Sequence, residues 1–341
     1  MTCPADRPSR PSGHPSAPAS RRQWLATTAA ALLAGSARAQ APARFPARPI
    51  TLVVPFAPGG IADITARAVG EAMGRGLGQP VVVDNRPSAG SIVASQLVAR
   101  AAPDGHTLLL MSNGHAVSVG LMHPLGYDPV RDFAPISTLG FFDLGLFAAA
   151  NRRFTTLAEA ISFARAQPGR LNIGTVAVGS TQHLAAKLFE TRAGITTLVV
   201  PYKGSPAVLT ALRSGEIDLA VEILGPMLPQ LKAGVVRALA VSGDRRHPAL
   251  PEVPTAAQAG VAGYSVASWN ALAAPAGTPP AVIETLNRAV HEAVASAAVQ
   301  QRLAPLGLRL AASTPAELQA LLAGEIRRWG EVIRAAKLTP E

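Results

Sequence analysis

The chain has 341 residues, of which 48% are hydrophobic, 15% charged and 4% aromatic. Single hydrophobic cores stop growing at about 250 to 300 residues, so this length predicts two lobes, and the apolar content excludes disorder beyond the chain ends. The first 39 residues hold five Arg and one Asp, which lowers the formal charge of the remainder from +10 to +6. No long Lys/Arg run remains there, so we expect a solvated surface that mildly attracts anions and no nucleic-acid partner.

Residues 1–39 have the three parts of a signal peptide. Arg21-Arg22 precedes the apolar run 24–34, and Ala37-Arg38-Ala39 supplies small residues for cleavage near Ala39. The run is shorter than the roughly 20 residues that a membrane-spanning helix needs, so we expect an exported, periplasmic protein. The twin arginine fits Tat and Sec export alike. The single cysteine, Cys3, precedes the cut, so the mature chain would contain no disulfide.

The mature chain opens with short apolar strands that alternate with segments of helical periodicity. This alternation predicts an α/β fold with mainly parallel sheets. The predicted strands are 50–56, 81–84 and 107–111, and the predicted helices are 61–77 and 92–101.

The same alternation returns later, which suggests a second, similar sheet. The predicted elements are the strands 172–176, 197–200 and 217–221, the helices 181–193 and 205–214, and C-terminal helices over 279–303 and 315–336. Two extended segments, 144–150 and 268–274, are expected to cross between the lobes. Residues 47–145 with 268–341 would then form one lobe and 146–267 the other, joined by a two-strand hinge with a ligand cleft between them.

The most informative segment is a strand that ends in two glycines at the start of a helix. It comprises Pro58, Gly59, Gly60, Ile61, Ala62 and Asp63. Glycine lets a ligand approach the main chain closely, and the first N–H groups of a helix favour a carboxylate or phosphate. Asp63 would repel such an anion unless it caps backbone N–H groups, which is the role we favour. A tight turn without any ligand is the alternative for an isolated Pro-Gly-Gly.

A second strand-to-helix turn has small hydroxyl residues at the helix start. Its candidate ligand-binding residues are Thr175, Gly179, Ser180, Thr181 and His183. The hydroxyls could donate to an anion, or simply cap the helix. Two helix starts that face each other, one in each lobe, would clamp an anion.

Two further strand ends supply candidate contacts. Asn113 follows the third strand and offers an amide, and Tyr202 ends a strand of the second lobe. The neighbouring Lys203 and Arg86 are as readily explained as solvated or structural cations.

The catalytic and cofactor motifs are weak or absent. Ser180 and His183 could share a helix face in a secreted hydrolase, but no G-x-S-x-G turn surrounds Ser180 and no orienting acid is evident. The histidines lack metal-binding spacing, and neither G-x-G-x-x-G nor a P-loop occurs. We therefore expect no metal, no cofactor and no enzymatic activity.

Seven motifs, in order, resemble the substrate-binding receptors of tripartite tricarboxylate transporters, also called Bug receptors. They span nearly the whole mature chain. They lie at residues 54–63, 82–90, 101–109, 127–135, 179–184, 200–204 and 249–255.

The resemblance implies a type II periplasmic binding protein whose two turns hold a ligand carboxylate through main-chain N–H groups and ordered water. The residues implied in this way are Gly59, Gly60, Asp63, Thr175, Gly179, Ser180 and His183. Ile61 and Ala62 stand where such receptors often have Ser or Thr, which favours a less polar or aromatic acid.

The expected partners are therefore a small organic anion and the membrane components of a transporter or a sensor kinase, with the receptor itself a monomer. The effector domain of a transcription regulator shares the fold class. The signal peptide and the lack of a helix-turn-helix argue against that reading.

Overall fold

The computed structural model describes residues 45–338, apart from residues 152 and 177. The predicted signal peptide, its cut near Ala39 and Cys3 lie outside the described residues. The described residues belong to one compact unit. Among the described helices, none is both long enough and apolar enough to cross a bilayer.

The first sheet starts with three parallel strands and their helices. These elements are β1 (Ile50–Val54), α1 (Ile61–Leu77), β2 (Val81–Asn85), α2 (Ile92–Ala99), β3 (Thr107–Ser112) and α3 (Asn113–Leu121). Strand β1 lies between β2 and β3. Residues alternate across a strand, so Ile50, Leu52 and Val54 pack in one core with α1, and Val53 packs in the core on the other face.

One long strand belongs to both sheets. Strand β4 (Phe133–Ala149) pairs over residues 133–143 with β9 (Ala267–Pro275), which in turn pairs with β3. Over residues 144–149 it pairs instead with strands of the second sheet. Residues 143 and 144 are therefore the point at which β4 passes from one sheet to the other.

The second sheet repeats the strand–helix alternation. Its elements are α4 (Leu157–Ala166), β5 (Asn172–Val176), α5 (Thr181–Ala193), β6 (Leu198–Tyr202), α6 (Ser205–Ser214), β7 (Leu219–Ile223), α7 (Leu224–Lys232) and β8 (Val236–Val241). Strand β5 pairs in parallel with β6 and β7, and β7 and β8 pair with β4. Helix α5 starts at the N-cap Ser180 and ends at Gly194, whose φ of 61° suits glycine.

The C-terminal part returns to the first sheet. It comprises α8 (Pro280–Ala295), α9 (Ala297–Leu303), β10 (Leu308–Leu310), which pairs with β4, and α10 (Pro315–Ala335). Helix α10 begins with the predicted cap, because Thr314 Oγ1 accepts from the N–H of Glu317 and the Glu317 carboxylate accepts from the N–H of Thr314. Its Trp329 is fully buried.

The predicted elements are present, but several differ in extent. The strand predicted over 50–56 ends at Val54, and the helix predicted over 92–101 ends at Ala99. The segment 144–150 is the end of a 17-residue strand. The helix predicted over 279–303 is broken at Ser296, whose hydroxyl caps the following helix α9 at Val299. The strands predicted at 197–200 and 217–221 start and end later, at 198–202 and 219–223. The assignment of residues to lobes stays a prediction.

Candidate functional site

The pairing of the strands brings the helix starts of the two sheets to the same region. In the first sheet, Ser112 at the end of β3 lies opposite Asn270 of β9. In the second sheet, Ile223 at the end of β7 lies opposite Leu144, directly after the point where β4 changes sheets. The carboxyl ends of the parallel strands in both sheets therefore point towards this crossing, which is where open α/β sheets bind ligands.

The Pro-Gly-Gly turn leads from β1 into α1 and is open. Pro58, Gly59 and Gly60 are exposed. Gly59 has a φ of 83°, which explains glycine there, whereas Gly60 has a φ of −77° that any residue could adopt. A Cβ at Gly60 would meet only the carbonyl oxygen of Ala57, at 3.7 Å. The absence of a side chain at Gly60 thus leaves the start of α1 accessible.

Asp63 stabilises this turn. Its Oδ2 accepts from the N–H of Gly59 (2.9 Å) and from Arg67 Nε (3.1 Å), and its Oδ1 accepts from Asn85 Nδ2 (2.9 Å). Burial alone would raise the pKa of Asp63, but these hydrogen bonds and the Arg67 charge outweigh it and hold the pKa below its usual value. The negative charge of this carboxylate is therefore balanced by Arg67 and by hydrogen bonds within the turn, in line with the predicted capping role.

The two residues after the glycines differ in exposure. Ile61 is half-buried, and a Cβ on Gly225 at the start of α7 would lie 3.3 Å from its Cδ1. Ala62 is buried in the core of the first sheet. The first turn therefore faces the second sheet through Ile61, whereas Ala62 could reach a ligand only through its main chain.

The second turn has the capped geometry expected at a helix start. Gly179 has a φ of 77°, and Ser180 Oγ accepts from the N–H of His183 (3.1 Å). The Ser180 hydroxyl also donates to the carbonyl of Val176 (3.1 Å). Among the described residues this hydroxyl bonds only to the backbone and not to the imidazole of His183, so the two residues lack the contact of a nucleophile and its base.

Direct contacts join the second turn to the first sheet. Asn113 Nδ2 donates to Thr181 Oγ1 (3.1 Å), and Trp329 Nε1 donates to Asn113 Oδ1 (2.8 Å). A Cβ on Gly179 would lie 3.6 Å from Leu121 of α3. The structure therefore brings the predicted residues Asn113, Gly179 and Thr181 together.

Tyr202 is directed elsewhere. Its hydroxyl donates to Glu216 Oε1 (2.7 Å), a residue that precedes β7 and so lies towards the opposite edge of the sheet. Burial and the Glu216 carboxylate raise the pKa of Tyr202 to about 12. The hydroxyl is engaged away from the crossing, and a ligand contact by this residue stays a prediction.

Five buried polar atoms on β5, β7, β9 and the first turn of α5 have no hydrogen-bond partner among the described residues. They are Thr175 Oγ1, His183 Nδ1, Glu222 Oε2, Trp269 Nε1 and Asn270 Oδ1. A buried polar atom left unpaired costs about 1 to 3 kcal/mol, so a ligand or water that bonded to these atoms would be favoured. Burial lowers the pKa of His183 to about 4, with a smaller contribution from Lys187, so this imidazole is neutral near pH 7.

Glu222 and Asn270 were missed by the sequence reasoning. Glu222 is the single polar residue of Leu-Ala-Val-Glu-Ile, and Asn270 directly precedes the apolar run Ala-Leu-Ala-Ala. A polar residue in a buried strand is costly unless it is paired or functional, and this signal could have identified them.

Comparison with known proteins identifies the family. Residues 65–338 match the model of the tripartite tricarboxylate transporter family receptor. The chain belongs to this receptor family. It is 37% identical to protein BugT of Bordetella pertussis over 85% of this chain and 90% of BugT. It is 40% identical to a protein in the tcbD-tcbE intergenic region of Pseudomonas sp. strain P51, over 92% of this chain and 94% of that protein.

Solved structures of similar proteins have the same fold. The periplasmic binding protein BugD is 30% identical and has a TM-score of 0.77, covering 87% of this chain and all of BugD. R. palustris Rpa4515 with adipate is 36% identical with a TM-score of 0.79, covering 87% of this chain. MatC from Rhodopseudomonas palustris with bound malate is 35% identical with a TM-score of 0.75, covering 85%. The matches cover the full length of both Rhodopseudomonas proteins. The predicted fold, that of a two-lobed periplasmic binding protein, is confirmed.

The family and the similar structures are solute-binding receptors, and nothing in them favours the hydrolase alternative. A role of each individual residue in ligand binding stays a prediction.

Proposed function

We propose that this receptor binds a small carboxylate between the Pro-Gly-Gly turn and the Gly-Ser turn and delivers it to the membrane components of a tripartite tricarboxylate transporter. The observation that carries this proposal is the convergence of two glycine-containing helix starts on the crossing of β4 between the sheets. The acids bound to the two Rhodopseudomonas proteins, adipate and malate, make dicarboxylates the first class to test.

The charges around the turns support an anionic ligand. Asp63 already has Arg67 as its counter-ion, so it adds little net repulsion. His183 is neutral near pH 7, so the positive end of α5 comes from its backbone dipole. Backbone N–H groups bind a carboxylate without needing a lysine or arginine beside it.

The remaining predictions follow from this role. We propose that residues 47–145 with 268–341 and residues 146–267 act as lobes that close on the ligand, and that the chain is exported to the periplasm and acts as a monomer without catalysis. A sensor kinase would be a second destination for the closed, ligand-bound receptor.

Calorimetric titration of the mature protein tests the proposal. The panel contains succinate, malate, adipate, citrate, benzoate and several amino acids. We expect at least one carboxylate to bind at a single site and the amino acids without a second carboxylate to bind more weakly. Native mass spectrometry of freshly purified protein adds a search for a co-purified acid. No binding across the panel and no retained acid would refute the proposal.

A further inference from the structure

Glu222 is a completely buried acid at the carboxyl end of β7, one residue before the strand ends. Asp63, the buried carboxylate of the first turn, has Arg67 as a counter-ion. For Glu222, the groups that influence its titration are Gln182, the backbone of Ile223 and Ser205, and none of them is charged. An acid buried in this way requires a different explanation from Asp63.

The two oxygens of Glu222 have different surroundings. Oε1 accepts from Gln182 Nε2 (2.7 Å) and from the N–H of Ile223 (2.8 Å). Oε2 has no hydrogen-bond partner among the described residues. Oε1 therefore has the environment of a carbonyl oxygen, and Oε2 is the atom that remains available.

The protonated form explains this asymmetry. Burial raises the pKa of Glu222, and the hydrogen-bonding groups Gln182, the N–H of Ile223 and Ser205 reverse only part of that effect. An ionised carboxylate here would leave a buried negative oxygen without a donor, which is costly. A neutral acid would keep both bonds to Oε1 and carry a proton on Oε2 that can be donated.

Glu222 lies beside the ligand region. Gln182 belongs to the first turn of α5, next to the N-cap Ser180. Gly225, three residues after Glu222, faces Ile61 of the Pro-Gly-Gly turn. Glu222 thus lies at the carboxyl edge of the second sheet, between the two turns that are expected to hold a carboxylate.

Building on the carboxylate receptor proposed above, we propose that Glu222 determines specificity by donating a hydrogen bond from Oε2 to a second carboxylate of the ligand. The ligand class is then a dicarboxylate with one end at the glycine turns and the other at Glu222 and Gln182. An acid donating to a carboxylate gives a strong, charge-assisted hydrogen bond, whereas an ionised glutamate would repel the same group.

This arrangement makes dicarboxylate binding depend on pH. Most of the described neighbours of Glu222 carry no titratable group. Helix α5 contributes Gln182 and His183, whose pKa is about 4, helix α6 contributes Ser205, and β4 presents Gly145. The exposed Lys203 precedes α6. A loss of affinity as the pH rises would therefore come from ionisation of Glu222, whose pKa burial raises.

The test combines two ligand pairs with three variants of the mature protein. Adipate is compared with hexanoate, and malate with 2-hydroxybutyrate, because each pair differs by one carboxylate. The variants are Glu222→Ala, Glu222→Gln and, as a matched control that removes an exposed acid, Glu252→Gln. Each is titrated calorimetrically from about pH 5 to about pH 9, and its thermal unfolding is recorded.

We expect Glu222→Ala to weaken binding of the dicarboxylate about ten- to hundredfold and to change binding of the monocarboxylate less than about threefold. Glu222→Gln keeps a donor near the position of Oε2, so it should bind the dicarboxylate at every pH about as the wild type does at low pH. Wild type and Glu252→Gln should both lose affinity as the pH rises. An infrared band of a protonated carboxylic acid should be present in wild type and missing in Glu222→Gln.

Three results would overturn the proposal. Glu222→Gln could weaken binding as much as Glu222→Ala does, or the two ligands of a pair could be affected equally. Folded Glu222→Ala could also bind the dicarboxylate with the same affinity as wild type, which would show that Glu222 contributes nothing. Silence of the wild type towards the whole panel would instead refute the receptor function itself. If Glu222→Ala does not fold, the isosteric Glu222→Gln, the pH series and the infrared band still decide.

Discussion

Substitution of Gly60 by leucine tests whether the start of α1 holds the ligand. Gly60 has a φ of −77° and a ψ of 167°, which suit any residue. A Cβ there would make only an ordinary contact, 3.7 Å from the carbonyl oxygen of Ala57. Leucine therefore fits the backbone without strain and places its side chain over the open N–H groups of the turn.

The expected effects on folding and on binding differ in size. Loss of glycine from an N-cap position costs up to about 1 kcal/mol, and the reduced entropy of the unfolded chain offsets about 0.4 to 1 kcal/mol of this cost. The free energy of unfolding should thus change by less than about 1 kcal/mol. A carboxylate displaced from one backbone donor loses about 1.5 to 3 kcal/mol, which weakens binding about ten- to 150-fold.

Calorimetric titration with the tightest-binding acid of the panel gives the affinity, and urea unfolding gives the stability. Gly324→Leu is a matched control, because Gly324 lies within α10 and a Cβ there meets nothing within 4 Å. This control should bind like wild type. If folded Gly60→Leu also bound the acid with unchanged affinity, the start of α1 would not be part of the site.

Three other predictions test further parts of the structure. Ser180→Ala should lower the free energy of unfolding by about 1 kcal/mol and also weaken ligand binding. The control Thr314→Ala removes a comparable cap from α10 and should lower stability without changing binding. Urea unfolding measures the stability of each variant, and calorimetric titration measures its affinity. Asp63→Asn should destabilise the protein by about 1 to 3 kcal/mol near neutral pH. The lowered pKa of Asp63 means that its stabilising contribution is present above the unfolded pKa of 3.8 and is lost on acidification. The difference in the free energy of unfolding between wild type and Asp63→Asn should therefore shrink below about pH 4. Burial lowers the pKa of His115 from 6.5 to about 4, so the unfolded state binds more protons than the folded state between these pH values. The free energy of unfolding should therefore fall by up to about 3 kcal/mol as the pH drops from 6.5 to about 4. His115→Gln should make this fall smaller, and an unchanged pH dependence of stability in the variant would contradict the assignment to His115.

The sequence predicted the α/β alternation well because its signals are local. The helices that start at Ile61, Thr181, Ser205 and Pro315 begin where their glycine, serine and threonine residues indicate. Caps and turns depend on residues within about four positions of each other, so one sequence is enough to identify them.

The extent of β4 was not predictable in the same way. Residues 133–149 include Pro135, which cannot donate a backbone hydrogen bond, and the pairing with β9 shifts register between Pro135 and Ser137 and again between Thr138 and Gly140. The strand is held together by partners that are distant in the sequence, because β7 starts at Leu219 and β9 only at Ala267. Such pairings have no local signature.

The candidate site shows the same division between local and long-range information. The two glycine turns are sequence motifs and were found. Glu222 and Asn270 are ordinary residues of apolar strands, and their unpaired oxygens become apparent only when the sheets are assembled. Sequence reasoning therefore identified the groups expected to hold the common carboxylate and missed the groups that would distinguish one acid from another.

The proposed site has an apolar surface at the first turn and a polar surface on the second sheet. At the first turn Ile61 and Ala62 provide no hydroxyl, which by itself favours a less polar acid. On the second sheet Glu222 and Thr175 present unpaired polar atoms that an entirely apolar ligand would leave unsatisfied, at a cost of about 1 to 3 kcal/mol each. An acid with an apolar middle and polar groups at both ends satisfies both surfaces. A preference of wild type for benzoate or hexanoate over adipate would show that the unpaired atoms bind water instead.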